Sequence, residues 1–332
     1  MRTSQEMQAM LIGGGAVAIE FHLPRLLAVL GATQVEIVES DPSRCAELAR
    51  RFRRDQRIEV VMEPDFGRER DLVIIATPPK FHADYFHAVS TSARGVVIEK
   101  PVAIDVAKAQ GIGLAISSGG PTVWVNLLRR CLTSFRLLRD LWLEQRFGAL
   151  ESVEFHEGSV YAWEAASLGS FSKELNGGGV LMDTGPHVLD SLLQVFDDLS
   201  LEQAWIDGEA RGIEANATLA LFGDGVPVTV QMSRNRKLSN SAVFEFEQAR
   251  CRIGVCEDQI AVTTRTGSEF TIRSGAGDSF TPVPTFADLF DRFYVEKLLA
   301  NDNAGVGIDE SIAALRVIEA AYAIADPMRG GF

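Results

Sequence analysis

Met10-Leu11-Ile12-Gly13-Gly14-Gly15-Ala16-Val17-Ala18 is the stretch whose reading decides the fold. Three apolar residues read as a short buried strand. They run into a G-x-G-x-x-A turn, and a helical pattern follows through Leu30. A glycine loop between a strand and a helix is the setting of the dinucleotide fingerprint. Gly13 permits the tight turn, Gly15 lets backbone approach a pyrophosphate, and Ala18 lets the helix pack on the strand. The helix start at Ala16 and Val17 offers unpaired N–H groups and partial positive charge to phosphates. Pro24 lies far inside this helix, which predicts a bend or a late helix start.

Outward from the loop, the next strand, Val35 to Val38, ends in Glu39. An acid about 20 residues past the glycines is placed to hold adenosine ribose hydroxyls. A carboxylate there repels a 2′-phosphate, so NAD is expected over NADP. Ile58 to Met62 and Leu72 to Ala76 read as two more buried strands. The second leads into Thr77-Pro78-Pro79, a rigid loop at the same sheet edge, where Thr77 and Pro78 can flank a cofactor. Then comes Val96-Val97-Ile98-Glu99-Lys100-Pro101. Pro101 stops the strand and leaves Glu99 and Lys100 at the carboxyl edge, where open α/β sheets bind ligands. An ammonium there can hydrogen-bond a hydroxyl or the carbonyl it becomes. Read alone, the hexapeptide is better explained as an ordinary strand ending in solvated charges, and the rest of the chain changes that. With the helix Val106 to Ser117 and the strand Thr122 to Val125, residues 1–125 read as a doubly wound parallel sheet.

At Asn126 the pattern changes. Ser134 to Phe147 reads as an amphipathic helix and Leu150 to Glu157 as a strand. Gly177-Gly178-Gly179 then leads to a helix expected to carry Asp183 and His187. Their spacing of four puts both on one face, as an orienting carboxylate and a general acid/base, or as a helix-start acid beside a packing histidine. From Ala204 to Ile272, short alternating segments separated by turns predict an antiparallel sheet. Phe286 to Leu299 and Ile308 to Ala325 read as closing helices. The expected second domain is 126–332, an α/β unit whose last helices can pack back on the first.

Composition narrows the function classes. The 332 residues are 46% hydrophobic and 23% charged, as in a globular protein. A net charge of -13 disfavours nucleic acid and anionic membranes as partners. The basic run Arg50 to Arg57 is explained by a helix C-terminus, where cations suit the dipole. His82 and His87, five apart, read as structural or surface histidines. Cys45, Cys131, Cys251 and Cys256 are scattered without zinc spacing, which predicts free thiols and no metal. The polar N-terminus lacks the apolar core of a signal peptide, so a cytoplasmic location is expected.

Taken together, these pieces resemble the glucose-fructose oxidoreductase / inositol dehydrogenase (Gfo/Idh/MocA) family. Glu99-Lys100-Pro101 and the segment Gly178-Gly179-Val180-Leu181-Met182-Asp183-Thr184-Gly185-Pro186-His187 carry the likeness most specifically. The resemblance implies a Rossmann domain followed by an α/β domain whose large, mainly antiparallel open sheet packs on a second subunit as a homodimer or homotetramer. It implies that Lys100, Asp183 and His187 converge beside the nicotinamide. It implies substrate contacts at Asn126 and Arg129, although Leu127-Leu128 interrupts the family's usual Asn-Arg-Arg run. The implied substrate is small and polyhydroxylated: a sugar, cyclitol or nucleotide-sugar. Tyr161 and Trp163 can stack on a sugar face or anchor a loop. Two alternatives are a non-catalytic sensor on the same fold and an imine or tetrapyrrole reductase.

Overall fold

In a computed structural model, residues 7–160, 172–207, 213–274, 281–300 and 307–327 are described. The expected residues Tyr161 and Trp163 lie outside them. Six strands form the first sheet: β1 (Gln8–Ile12), β2 (Gln34–Val38), β3 (Ile58–Val61), β4 (Arg70–Ile75), β5 (Ala93–Ile98) and β6 (Thr122–Val125). All neighbours are parallel, in the order β3-β2-β1-β4-β5-β6. The chain reverses its winding between β1 and β4. Loops leaving those two strands diverge there and open a crevice at the carboxyl edge.

Pro24 leaves its mark on the first helix. Winding begins early, with the Ile19 N–H on the Gly15 carbonyl at 3.0 Å. The turn Ala18–His22 is wider than α-helical, and Leu23–Ala28 resumes the α-helix. A proline lacks the N–H and crowds the carbonyl four residues back, and a widened turn relieves both. The irregularity is thus a local widening, with no late start.

The second sheet has nine strands: β7 (Leu150–Gly158), β8 (Leu199–Ile206), β9 (Asn216–Gly223), β10 (Val226–Ser233), β11 (Ser241–Phe246), β12 (Ala249–Gly254), β13 (Ile260–Thr264), β14 (Glu269–Ile272) and β15 (Asp326–Pro327). Their order is β14-β13-β12-β11-β7-β10-β9-β8-β15. Pairing is antiparallel except for β7 with β10 and β8 with β15. Alternation decides which face is buried. In β10, Val226, Val228, Val230 and Met232 are buried, whereas Pro227 and Thr229 are exposed. The inner face packs on helices.

The helix expected to reach Phe147 stops at Leu143, and Gln145 and Gly148 then turn the chain with positive φ. The end of the chain returns to the first lobe. Phe290, Phe293 and Tyr294 join Ile19, Leu26 and Trp124 in one apolar cluster. The helix Ile308–Ile324 lies against Val106–Ser117 and Gly185–Leu193. Among the described residues, no helix is long and apolar enough to cross a membrane.

Candidate active site

A cleft of about 1260 Å³ runs along the carboxyl edge of the first sheet to the second lobe. Pockets for drug-sized ligands span roughly 300–1,000 Å³, so a dinucleotide and a second molecule have room here. The glycine loop forms one end. Gly13 has φ +103°, and a Cβ there would sit 2.5 Å from the Ala76 carbonyl oxygen. A Cβ on Gly15 would meet nothing within 4 Å, so open space lies above it. Ala16 and Val17 line the same end. This is a cradle that fits a pyrophosphate.

Glu39 stands at the end of β2. Its carboxylate accepts from the Gly14 N–H at 3.0 Å and the Asp41 N–H at 2.8 Å. Four lone-pair sites leave capacity for ribose hydroxyls. Arg44 also lines the cleft, but its guanidinium is committed. Nε and Nη2 donate to the Gly14 carbonyl at 3.1 and 3.0 Å, and Nη1 donates to both Glu47 oxygens. Thr77 and Pro78 face the loop across the crevice. His82 is buried with its ring nitrogens 2.8 Å from the Thr77 carbonyl and 2.9 Å from that of Pro101, tying the two loops together. This is the structural histidine that its sequence position suggested.

At the other end, Lys100 Nζ donates to the Asp183 backbone carbonyl at 2.9 Å and to Oδ1 at 2.8 Å. Asp183 Oδ2 lies 2.8 Å from Arg234 Nη2. Burial would raise the Asp183 pKa, but Lys100 and Arg234 together hold it well below the usual carboxylate range. His187 lines the cleft with Nδ1 buried and without a protein partner among the described residues. Burial first, then the charges of Lys100 and Arg129, push the His187 pKa well below its ordinary value, against the pull of Asp183.

One expectation is corrected here. Asp183 and His187 do not share a helix. Asp183 ends a single turn, Val180–Asp183, and His187 lies in a second helix, Gly185–Leu193. Pro186 has no N–H to give to the carbonyl four residues back, so the helix breaks at Thr184. Both side chains still reach the cleft.

Glu99 lines the cleft beside Lys100. Its Oε1 receives His22 Nε2 at 2.8 Å and Asn126 Nδ2 at 2.6 Å. Burial would raise its pKa, but His22, Asn126 and Lys100 bring it below the ordinary value. Arg129, expected at the substrate, is absent from the cleft lining and spends its guanidinium on Glu157 at 2.8 and 2.6 Å. Glu157 is the member of that pair facing the cleft.

Two family profiles match the chain. One, described as an oxidoreductase family with an NAD-binding Rossmann fold, covers residues 7–127, and the GFO/IDH/MocA C-terminal domain covers 135–255. The chain belongs to the GFO/IDH/MocA family. Among its relatives is scyllo-inositol 2-dehydrogenase (NADP(+)) of Bacillus subtilis, 27% identical over 56% of this chain and 51% of that protein. The chain thus spans about half the length of that relative. A 1,5-anhydro-D-fructose reductase of Ensifer adhaerens is 27% identical over 82% of each chain. The fold matches levoglucosan dehydrogenase in complex with NADH and levoglucosan (TM-score 0.75, 18% identity, 96% and 97% coverage). It also matches a 3-ketoreductase from Actinomadura kijaniata with NADP and TDP-benzene (TM-score 0.79, 16% identity, 98% and 99% coverage).

For this GFO/IDH/MocA member, sequence reasoning missed Arg234, Glu157, His22 and Glu214. Arg234 and Glu157 share a cause. β7 and β10 are parallel neighbours, with Gly158 opposite Ser233, so their ends meet at one sheet edge. Alternation marks the strands but not their pairing. Glu214 is buried and accepts from the Gly179 and Leu181 N–H groups and from the Tyr322 hydroxyl. No local pattern marks that contact.

Proposed function

We infer that this chain is an NAD-dependent oxidoreductase acting on a ring carbinol or ketone of a sugar, cyclitol or nucleotide-sugar. The observation that carries this reading is the meeting of Lys100, Asp183 and His187 at the end of a cleft that begins at the glycine loop. The glycine loop and Glu39 would hold a nicotinamide dinucleotide, and that group would supply hydride transfer to or from the carbinol carbon. His187, kept neutral by burial and nearby cations, removes the hydroxyl proton. Asp183, pinned ionised between two cations, orients Lys100 and offsets the charge of the imidazolium. Lys100 donates to the oxygen on which negative charge develops.

The names of the relatives favour polyhydroxylated substrates over tetrapyrroles. Glu39 favours NAD over NADP. The commitment of Arg44 adds to this, since most of its donors are taken by Gly14 and Glu47. A second copy of this chain on the open face of the nine-stranded sheet completes the reading. A screen of polyols, sugars and nucleotide-sugars for NAD reduction, followed by absorbance, tests the activity. Expected results are turnover on at least one polyol, and losses of about two to four decades in His187→Ala and in Lys100→Ala with dinucleotide binding retained. Near-normal turnover in either variant would remove that residue from the chemistry.

A further inference from the structure

The proposed chemistry gives no role to one aromatic ring in the cleft wall. Phe286 is 42% exposed, and among the described residues it is the one exposed large apolar side chain lining the cleft. It opens the helix Phe286–Arg292, whose contacts fix where the ring stands. Thr285 caps that helix reciprocally. The Asp288 N–H donates to Thr285 Oγ1 at 3.2 Å, and the Thr285 N–H donates to Asp288 Oδ2 at 2.8 Å. Arg25, on the helix that follows the glycine loop, clamps Phe286–Arg292 to the first lobe. Its Nη2 donates to the Ala287 carbonyl at 2.8 Å, and its Nε lies 2.8 Å from Asp291 Oδ1. The Phe286 ring stands edge-on to Phe21 and to Phe290, with centroids 4.9 and 5.1 Å away. Those two rings stack on each other at 5.0 Å. A ring held between two aromatic neighbours loses little side-chain freedom when its open part is covered.

The same contacts tell which half of the cleft the ring serves. Phe290, one turn along, meets the His22 ring at 5.1 Å. His22 Nε2 lies 2.8 Å from Glu99 Oε1, at the end of β5. The helix also packs on the turn Leu128–Cys131, and Leu128 lines the cleft. Glu39, the acid suited to adenosine ribose, stands at the end of β2, with β1 and β4 between it and β5. We propose that Phe286 is a cofactor-binding residue, forming an apolar wall for the nicotinamide–ribose half of a dinucleotide. The inference rests on the dinucleotide reading of the cleft, and it makes the C-terminal helix part of that site. Ribose and nicotinamide carry C–H edges that gain by leaving water against an aromatic side chain. Covering about half of the open ring is worth roughly fivefold in affinity.

Calorimetric titration of NAD+ and of ADP into wild type, Phe286→Leu and Phe286→Ala tests this. ADP carries the adenosine and both phosphates but lacks the half assigned to Phe286. In Phe286→Ala the Kd for NAD+ should rise about fivefold or more, while that for ADP moves less than about twofold. Phe286→Leu keeps apolar bulk and should fall between wild type and alanine. An unchanged Kd for NAD+ overturns the proposal. Equal weakening of ADP also overturns it, since the ring would then only prop up the glycine loop. Hydrogen exchange in wild type gives a second measurement that needs no variant. Exchange across residues 286–292 should slow on saturation with NAD+ and stay as it was with ADP; unslowed exchange with NAD+ counts against the wall. Wild type that binds no dinucleotide would overturn the cofactor reading and this proposal with it. Tight binding indifferent to Phe286 would overturn this proposal alone.

Discussion

His187 has two jobs that its surroundings reconcile. In the proposed reaction it must stand unprotonated to accept the hydroxyl proton, yet it lies near a carboxylate that would favour its cation. Burial, Lys100 and Arg129 outweigh Asp183, so the neutral form dominates. A lowered pKa keeps the imidazole neutral as pH falls through the ordinary histidine range near 6.5. Nuclear magnetic resonance of the ring protons should show His187 titrating below that range. In Lys100→Met the midpoint should move upward yet remain below it, because burial, the larger cause, persists. A wild-type midpoint at or above the ordinary value would refute the electrostatic account. His187 was legible as a candidate because of its spacing from Asp183. Its lowered pKa was not, because it depends on burial and on Lys100, which reaches it from the other lobe.

At the scale of elements, the run Gly177-Gly178-Gly179 is explained by contacts far away in sequence. A Cβ on Gly178 would collide with the Tyr322 hydroxyl, and one on Gly179 with the Glu214 backbone. The Glu214 carboxylate accepts from the Gly179 N–H at 2.9 Å, from the Leu181 N–H at 3.0 Å and from the Tyr322 hydroxyl at 2.7 Å. It satisfies the unpaired N–H groups at the start of the Asp183 turn, which has too few residues to stand alone. Burial and the neighbouring carboxylate push the Tyr322 pKa up, so the hydroxyl stays a donor. Tyr322→Phe should therefore cost about 1.5–3 kcal/mol in denaturant unfolding, the range for hydrogen bonds to charged groups. A change within about 0.5 kcal/mol, typical of surface positions, would sink this account. The glycine run was visible in the sequence as an approach to the helix. Its cause lies in a strand-edge acid and a C-terminal tyrosine.

Over the whole molecule, the nine-stranded sheet buries one face and leaves Phe222, Pro227 and Thr229 exposed on the other. Thr229 pairs with Ala220 on one side and Glu154 on the other, near the middle of the sheet. Self-association through this face predicts a dimer or tetramer in sedimentation velocity at micromolar concentration. Thr229→Arg should shift it toward monomer by placing charge where a sheet would pack. A wild-type monomer would dispose of the expectation. The parallel pairs, β7 with β10 and β8 with β15, stand in a sheet that is otherwise antiparallel, as expected of a mainly antiparallel one. Alternation reports which side chains are buried and is silent on strand direction.

The chain by itself determined the crevice. A tight turn needing glycine, an acid at the end of β2 and a proline after Lys100 are local requirements, met by residues close in sequence. Only the tertiary structure decided what holds the charges in that crevice. Lys100 meets Asp183 across 83 positions, Arg129 meets Glu157 across 28, and His22 meets Tyr294 across 272. Hydrogen bonds and ion pairs act over about 3 Å in space whatever the separation along the chain. Hydrophobic periodicity records where an element is buried and carries no information about which distant polar group it will face.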